Sequence, residues 1–397
     1  GLLRNGTFEI PSFVAKTRPM TTDALSSQFG SRFSIRWIVN PRVDLLWFIG
    51  GALAAYALLF AHARFQVDMI AVWFAWVVVL DSPHFFATIS RTYMDREEMM
   101  GRKRLLLSSL LWFAAGPAVI GLSWLLMQAG VASYRSAWTT FLLLFNIWAY
   151  WHVVRQHFGF LRLYERKGGE TDPVDLRIDA MLLYGGLLLP FGAFALRHPE
   201  ARPQFGLGPE PGREMMIVSF LEFAFAAVVA TWVVRQVANW RRGGTLNVPK
   251  FLFFLAVIPL YAVICLWDAT LSAPLLGFAA FVTIFHDLQY HAIVWFHNKN
   301  RYQAPGVDPE RFGLAAKVSS SIAVYAVAAI GSAAFFRFLG CGLEIFPGCS
   351  PFVQTSSMTL FGTIRWSDLL GSIFIGFSMH HYWVDQFIWR PGKSEQL

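Results

Sequence analysis

The chain has 397 residues, of which 55% are hydrophobic and only 15% are charged, and its mean hydropathy is +0.46. A soluble chain would carry roughly 25% charged residues, so this composition excludes a soluble globular protein. The formal net charge of +8 would suggest nucleic acid as the partner of a soluble protein. In a membrane protein basic loops explain it, and we expect no nucleic-acid partner.

Apolar runs of about 20 residues recur along the chain, which is typical of membrane-spanning helices. The sequence therefore predicts an all-α integral membrane protein with about ten transmembrane helices. In chain order the predicted spans are 44–63, 69–90, 105–129, 136–160, 179–197, 215–236, 251–272, 275–297, 318–339 and 367–389.

Three regions follow from this pattern. Residues 1–43 contain no apolar core of a signal peptide, so we expect a segment in the cytoplasm and at the membrane interface. Residues 44–390 form one polytopic transmembrane domain, and residues 391–397 form a C-terminal tail. The side that holds the N-terminus, the C-terminus and the loops after even-numbered spans carries most of the Lys and Arg residues. The positive-inside rule then predicts that both termini are cytoplasmic, in a multi-pass protein of the bacterial inner membrane.

Eight of the ten histidines lie in four even-numbered spans, and in each span they lie in the cytoplasmic half. Ionisable side chains are costly inside a bilayer and persist there when they are paired or bind a ligand. Even-numbered spans all run from the outer side to the cytoplasm, so these imidazoles are predicted to reach one depth. The predicted metal ligands are His84, His152, His157, His286, His291, His297, His380 and His381.

The spacing of these histidines indicates how each pair is arranged around its helix. His152 and His157 are five residues apart, as are His286 and His291, so each pair is separated by about 140° around its helix. His297 lies about 16 Å along the helix axis from His286, which predicts a position at the mouth of the site. Three carboxylates could bind metal or orient imidazole rings, namely Asp81, Asp287 and Asp385.

Neutral imidazole is a common ligand of iron, zinc and copper, and carboxylates add oxygen ligands that suit iron. Because one ion takes about three to six ligands, this number of histidines predicts two metal ions. Nearby aromatic side chains could line a channel for a lipophilic substrate or form an interfacial belt in the lipid bilayer. They are Trp151, Tyr290, Trp295 and Tyr382.

Two H-x-x-x-x-H steps, one HH pair and the clustered histidines resemble the histidine-box membrane oxygenases, which comprise fatty acid desaturases, lipid hydroxylases and alkane monooxygenases. The resemblance implies a pair of iron ions held by these histidines, activation of O2, and hydroxylation or desaturation in lipid metabolism. It also implies a ferredoxin-, rubredoxin- or cytochrome-type electron donor, which would dock at the basic cytoplasmic face.

Three short segments also resemble the bacterial carotene dioxygenases related to the Brp and Blh proteins. They are SPHFF around His84, FHDLQYHAIVW around His286 and His291, and HHYWVDQFIWRP around His380 and Asp385. Their order along the chain agrees as well. This resemblance implies a dioxygenase that cleaves a carotenoid and needs no electron donor, which is the alternative to a diiron hydroxylase or desaturase.

Other functions remain open from the residues alone. Histidines on neighbouring helices can provide the axial ligands of haem, which would indicate a membrane redox protein. A path lined by His and Asp could instead conduct protons or ions. Zinc would indicate an intramembrane hydrolase, but the H-E-x-x-H motif of that class is absent from the sequence.

The cysteines agree with the predicted topology. Cys265 lies in the seventh span and is predicted to be a packing residue. Cys341 and Cys349 lie after the ninth span, on the predicted outer side, where an oxidising periplasm would allow a disulfide bond. We expect this bond to be structural.

Overall fold

The computed structural model describes residues 32–131, 134–208, 212–342, 359–360 and 364–389. Within them the chain is almost entirely helical, and we number the long helices in chain order. They are α1 Pro41–Phe65, α2 69–92, α3 Lys103–Gln128, α4 Tyr134–Gly168, α5 Pro173–Arg197, α6 Glu214–Arg241, α7 Val248–Leu266, α8 Leu275–Tyr302, α9 Ile322–Gly342 and α10 Trp366–Ile388.

Short elements connect these helices. The described strands form two small sheets, in which β1 (Phe33–Ser34) pairs in parallel with β2 (Leu246–Asn247) and β3 (Thr359–Leu360) pairs antiparallel with β4 (Ile364–Arg365). The short helices and 3-10 turns are Arg96–Gly101, Arg202–Phe205, Asp268–Leu271, Pro309–Phe312 and Leu314–Val318.

Seven of the described helices, α1, α2, α3, α5, α6, α7 and α9, are long and apolar enough to cross a membrane. Large apolar side chains on them face outward, such as Phe223 (72% exposed) and Val327 (73% exposed). Such surface is unfavourable in water and favourable in lipid. The fold is thus all-α and consistent with a multi-pass membrane protein. The number of ten spans and the side of the termini stay predictions.

The boundaries of the seventh and eighth predicted spans differ from the helices. The seventh was expected over 251–272, but α7 ends at Leu266 and Asp268–Leu271 forms a separate turn. Pro274 then precedes the first residue of α8. Proline lacks an amide hydrogen and disfavours the α conformation of the residue before it, which favours a break between the two spans at this point.

Helix α8 lies at the centre of the bundle, where it packs against α1, α2, α4 and α7. More than half of its residues are buried. Two glutamines attach its polar segment to neighbouring helices: Gln289 Nε2 donates to the Phe48 carbonyl at 2.9 Å, and Gln156 Nε2 donates to the His286 carbonyl at 2.8 Å. The histidine-bearing part of α8 is therefore held inside the protein.

Helix α2 contains a π-helical turn, Val77–Asp81, directly before Pro83. The amide of Ser82 bonds to the carbonyl of Val77, five residues back. Proline has no amide hydrogen, so Pro83 cannot donate the backbone hydrogen bond that a regular α-helix would require here. The wider π-helical turn accommodates this missing bond. Single π-helical turns of this kind are frequent at functional sites, and His84 follows at once.

A buried ion network joins α5, α6, α7 and the loop after α4 at one end of the bundle. Lys250, which is 5% exposed, donates from Nζ to Asp179 Oδ2 at 2.6 Å and also to Glu170. Trp232 Nε1 donates to the other oxygen of Asp179 at 2.6 Å. The Asp179 carboxylate therefore depends on one cation and one indole.

We expect Lys250→Met to lower the free energy of unfolding by about 3–5 kcal/mol, because it leaves the buried Asp179 carboxylate without a counter-charge. The midpoint of thermal unfolding in detergent measures the loss. The double variant Lys250→Met/Asp179→Asn should recover part of it, since one stranded charge is then removed. A midpoint equal to that of the unmodified protein would contradict this role of Lys250.

Candidate metal centre

Four histidines from four helices meet inside the bundle, and we call them the four-histidine cluster: His84 of α2, His152 of α4, His286 of α8 and His381 of α10. Each is at most 7% exposed. The ring centroid of His84 lies 4.3 Å from that of His381 and 4.8 Å from that of His286. The centroid of His152 lies 4.8 Å from that of His381 and 5.1 Å from that of His286.

Several imidazole nitrogens of the cluster lack an ordinary partner. Nε2 of His152 lies 3.1 Å from Nε2 of His381, so the two rings face each other through nitrogen. Nε2 of His84 and Nδ1 of His286 are buried without a hydrogen-bond partner. Buried polar atoms are nearly always satisfied, so such atoms require an explanation. Convergent imidazole nitrogens fit a bound metal ion, which would accept their lone pairs.

Two buried aspartates lie beside these rings. One donor atom from each of Asp385, His84, His152 and His381 falls within 4.8 Å of the others, and the same holds for the set of Asp287, His84 and His286. Both sets have the size and donor types of a metal site. They share His84, so they adjoin at one place in the bundle.

Asp287 orients the His84 ring. Its Oδ1 lies 2.8 Å from His84 Nδ1, and Trp76 Nε1 donates to its Oδ2 at 2.9 Å. With Nδ1–H donating to the carboxylate, Nε2 of His84 carries the lone pair and points into the cluster. A carboxylate that holds a ligating histidine in this way fixes the tautomer and makes the ring a better donor.

Thr88 connects His381 to Asp385. Its Oγ1 lies 2.7 Å from His381 Nδ1 and donates to Asp385 Oδ1 at 3.1 Å. The hydroxyl of Tyr290 lies 2.6 Å from the same Oγ1 and donates to Asp385 Oδ1 at 2.9 Å. The network leaves Nε2 of His381 directed at the cluster.

We expect Thr88→Val to weaken metal binding by about 10- to 100-fold, because it removes the hydroxyl that orients His381 while keeping the volume of the side chain. Titration against a chelator measures the affinity. Thr92→Val is the matched control one turn later, where the hydroxyl bonds only to the Thr88 carbonyl at 2.7 Å. Equal affinities of the two variants would show that Thr88 has no orienting role.

Two of the other predicted ligands lie outside the four-histidine cluster and make other hydrogen bonds. His291 has both nitrogens hydrogen-bonded, Nδ1 to the Tyr325 hydroxyl at 3.3 Å and Nε2 to the Leu80 carbonyl at 3.2 Å. His157 bonds through Nδ1 to the Val153 carbonyl at 2.9 Å, and its ring lies 5.2 Å from that of Tyr261. The five-residue step therefore brings only the first member of each pair into the cluster on α4 and α8.

The remaining predicted residues also lie outside the cluster. His380 bonds through Nε2 to the Tyr93 hydroxyl at 2.8 Å, and His297 through Nδ1 to Asn298 Oδ1 at 3.3 Å. Asp81 lies 3.7 Å from Arg337. Each of these side chains thus has a partner elsewhere in the protein.

A cavity of about 180 Å³ begins at the cluster. His84, His152, His286 and Asp287 line its inner end, and most of the wall is aromatic or aliphatic. Polar groups on the wall include Asp81, Asn146, Thr283 and Gln204; apolar ones include Tyr150, Phe191, Phe194, Phe278, Ala279 and Val282.

Of the four aromatic residues predicted to form a substrate channel, Tyr382 lines this cavity. Tyr290 instead belongs to the Thr88 network. Trp151 stacks on Tyr184 at 5.6 Å and Trp295 packs on Tyr325 at 5.9 Å, and neither lines the cavity. These two could serve an interfacial belt, which was the other interpretation of the pattern.

Sequence reasoning overlooked Thr88, Trp76 and the phenylalanines of the cavity wall. Thr88 had a signal, since it lies four residues after His84 and so shares its helix face. Trp76 and Phe191 had none, because they reach the site from other turns and other helices. The predicted disulfide between Cys341 and Cys349 falls on side chains outside the described residues.

Comparison of the chain with protein-family models, with curated proteins and with solved structures finds no match.

Proposed function

We propose that the protein is a membrane oxygenase that holds one iron ion in the four-histidine cluster and oxidises an apolar substrate with O2. The observation that carries the proposal is the meeting of four imidazoles from four helices at the inner end of an apolar cavity. Iron bound there would activate O2 for reaction with an organic molecule.

One ion is proposed in place of the two that the number of histidines predicted. The cluster contains four of the eight predicted histidine ligands, and the other four make hydrogen bonds elsewhere. Three imidazoles, of His84, His152 and His381, together with Asp385 offer one ion four donor atoms, and His286 adjoins this set at the His84 ring. A second ion would require His291 to break a present bond, and His157 would offer it only Nε2, which is buried without a partner.

Among oxygenases, we favour the dioxygenase interpretation over a hydroxylase or desaturase. Three of the four clustered histidines, His84, His286 and His381, come from the segments that resemble the Brp- and Blh-related carotene dioxygenases. Cleavage of a C=C bond by such an enzyme consumes one O2, breaks the double bond and forms two C=O groups. Both oxygen atoms enter the products, so the electrons balance without a reductant or an electron donor.

The chain itself would contribute binding, orientation and exclusion of water. The aromatic wall holds an apolar substrate against the cluster, and burial of the site keeps water from the reacting atoms. Asp287 and Thr88 keep the His84 and His381 rings in position. Haem is disfavoured because the imidazole rings contact each other, with centroids as close as 4.3 Å, and leave no gap for a planar macrocycle.

Metal analysis of protein purified in detergent after growth with ample iron tests the proposal. We expect about one iron per chain, no Soret band in the visible spectrum, and O2 consumption on addition of a carotenoid without an electron donor. Isotopically labelled O2 should place label in both carbonyl products. Zinc in place of iron with no O2 uptake would overturn the oxygenase, about two irons per chain would restore the diiron hypothesis, and a Soret band would indicate haem.

A further inference from the structure

The cavity that begins at the four-histidine cluster extends in one direction along the bundle. On α8 its lining residues run from Leu275 to Asp287, and on α4 none lies after Val153. On the far side of the cluster the interior is filled by the hydrogen-bonded side chains of Thr88 and Tyr290. Among the described residues, this network therefore bounds the cavity beyond the cluster.

The end of the cavity away from the cluster reaches the surface beside the loop that joins α5 to α6, and we call this end the mouth. The cavity wall is also exposed on α4, at Ile147 (42% exposed). Ala201, Gln204 and Phe205 line the mouth, together with Leu275 at the start of α8. Phe205 is 42% exposed. The mouth thus lies at the end of the bundle that the positive-inside rule assigns to the outer side.

The length and lining of the cavity suit a long, flat, apolar ligand. From Leu275 to His286 the α8 axis advances about 16 Å. Stacked aromatic pairs form the wall, with ring centroids 3.8 Å apart for Tyr150 and Phe191 and 3.8 Å apart for Phe194 and Phe278. At the mouth, the Gln204 amide provides a polar group that could bond to a polar end of the ligand.

We propose that the cavity binds one extended apolar molecule, a hydrocarbon chain or polyene, end-on. It enters at the mouth, its leading end stops at the four-histidine cluster, and its trailing end lies beside Gln204. The aromatic wall supplies the binding free energy through burial of apolar surface.

This binding mode determines where the molecule would react, a consequence that rests on the proposed function. Only the leading end lies at His84, His152 and His286. The double bond cleaved is therefore one near the leading end. One C=C and one O2 become two carbonyl groups, which gives one short and one long product instead of two equal halves.

Photolabelling of the full-length protein in lipid nanodiscs tests the binding mode. The probe is a long-chain fatty alcohol with a diazirine either at its methyl end or beside its hydroxyl. We expect the methyl-end probe to label α8 around Val282 and α4 around Val153. The hydroxyl-end probe should label residues 201–205. Labelling by both probes only at lipid-facing residues such as Phe223 would overturn the proposal.

A blocked variant sharpens the test. Ala279→Trp fills the cavity between the mouth and the cluster, and we expect it to lower methyl-end labelling at Val282 about tenfold while iron content is retained. Ala226→Trp, on the exposed face of α6, is the matched control and should leave labelling unchanged. If Ala279→Trp does not fold, Ala149→Leu narrows the same passage. Undiminished labelling in a folded, blocked variant would refute end-on entry from the mouth.

The two proposals fail separately. Photolabelling requires no iron, so end-on binding can be observed even if metal analysis rejects the oxygenase. Conversely, iron binding with labelling confined to the lipid-facing surface would remove only the end-on binding mode.

Discussion

His381→Ala is expected to abolish iron binding, whereas His380→Ala is expected to retain it. The two histidines are adjacent in the chain, yet Nε2 of His381 faces Nε2 of His152 at 3.1 Å and Nε2 of His380 bonds to the Tyr93 hydroxyl. Alanine at 381 removes a ligand from the ion itself. The iron content of folded protein should then fall below about a tenth of normal, since even loss of an orienting neighbour weakens metal sites 10- to 100-fold.

The neighbouring variant makes this comparison stringent. Both substitutions remove an imidazole of the same size from α10, and both side chains are buried, at 4% exposed for His380 and 0% for His381. A general loss of packing would affect the two variants alike. Iron analysis by mass spectrometry, after size-exclusion chromatography has confirmed folding, decides the matter. Equal iron content in the two variants would reject the cluster as the metal site.

Asp287→Asn should weaken iron binding about 10- to 100-fold without removing a histidine. The Asp287 carboxylate accepts from His84 Nδ1 on one oxygen and from Trp76 Nε1 on the other. An asparagine amide can accept through one oxygen only, so either the imidazole or the indole loses its acceptor and meets an N–H group. The His84 ring then loses its fixed tautomer, and chelator competition should record the change.

Asp81→Asn provides the comparison for this experiment. Asp81 lies three residues before His84 in the sequence, and Asp287 lies beside the His84 ring in space. Both were predicted to bind a metal or to orient an imidazole ring. Asp81 lies on the cavity wall, 3.7 Å from Arg337, instead of on an imidazole. We expect its amide variant to keep its affinity for iron within about threefold of normal, as befits a contact outside the cluster. A larger loss for Asp81→Asn than for Asp287→Asn would reverse the two assignments.

The sequence was informative wherever one property of a segment decides its structure. A run such as 215–236 is apolar between its ends apart from Ser219, Glu222 and Thr231, and it forms α6 with apolar side chains outward. The clustering of histidines at one depth was also predictable, because depth depends on position along a span. His84, His152, His286 and His381 do come into contact.

Which histidines face the cluster was decided by rotation of the helices and by neighbouring helices. His286 and His291 have the same residue type and lie in one segment, but the Leu80 carbonyl and the Tyr325 hydroxyl occupy the nitrogens of His291. Neither group is apparent as a partner from sequence spacing. The same is true of Tyr93, which bonds to His380 while its neighbour His381 turns to the cluster.

The sequence by itself therefore determined the class of protein, the helical segments and the set of residues among which a site had to be sought. Hydrophobicity and helical periodicity are properties of single segments, so they can be read along the chain. Only the tertiary structure selected four histidines from eight, found Thr88 and Trp76 as their supports, and joined the cluster to a cavity that opens at Phe205. These features depend on how separate helices rotate and pack against one another, which no single segment encodes.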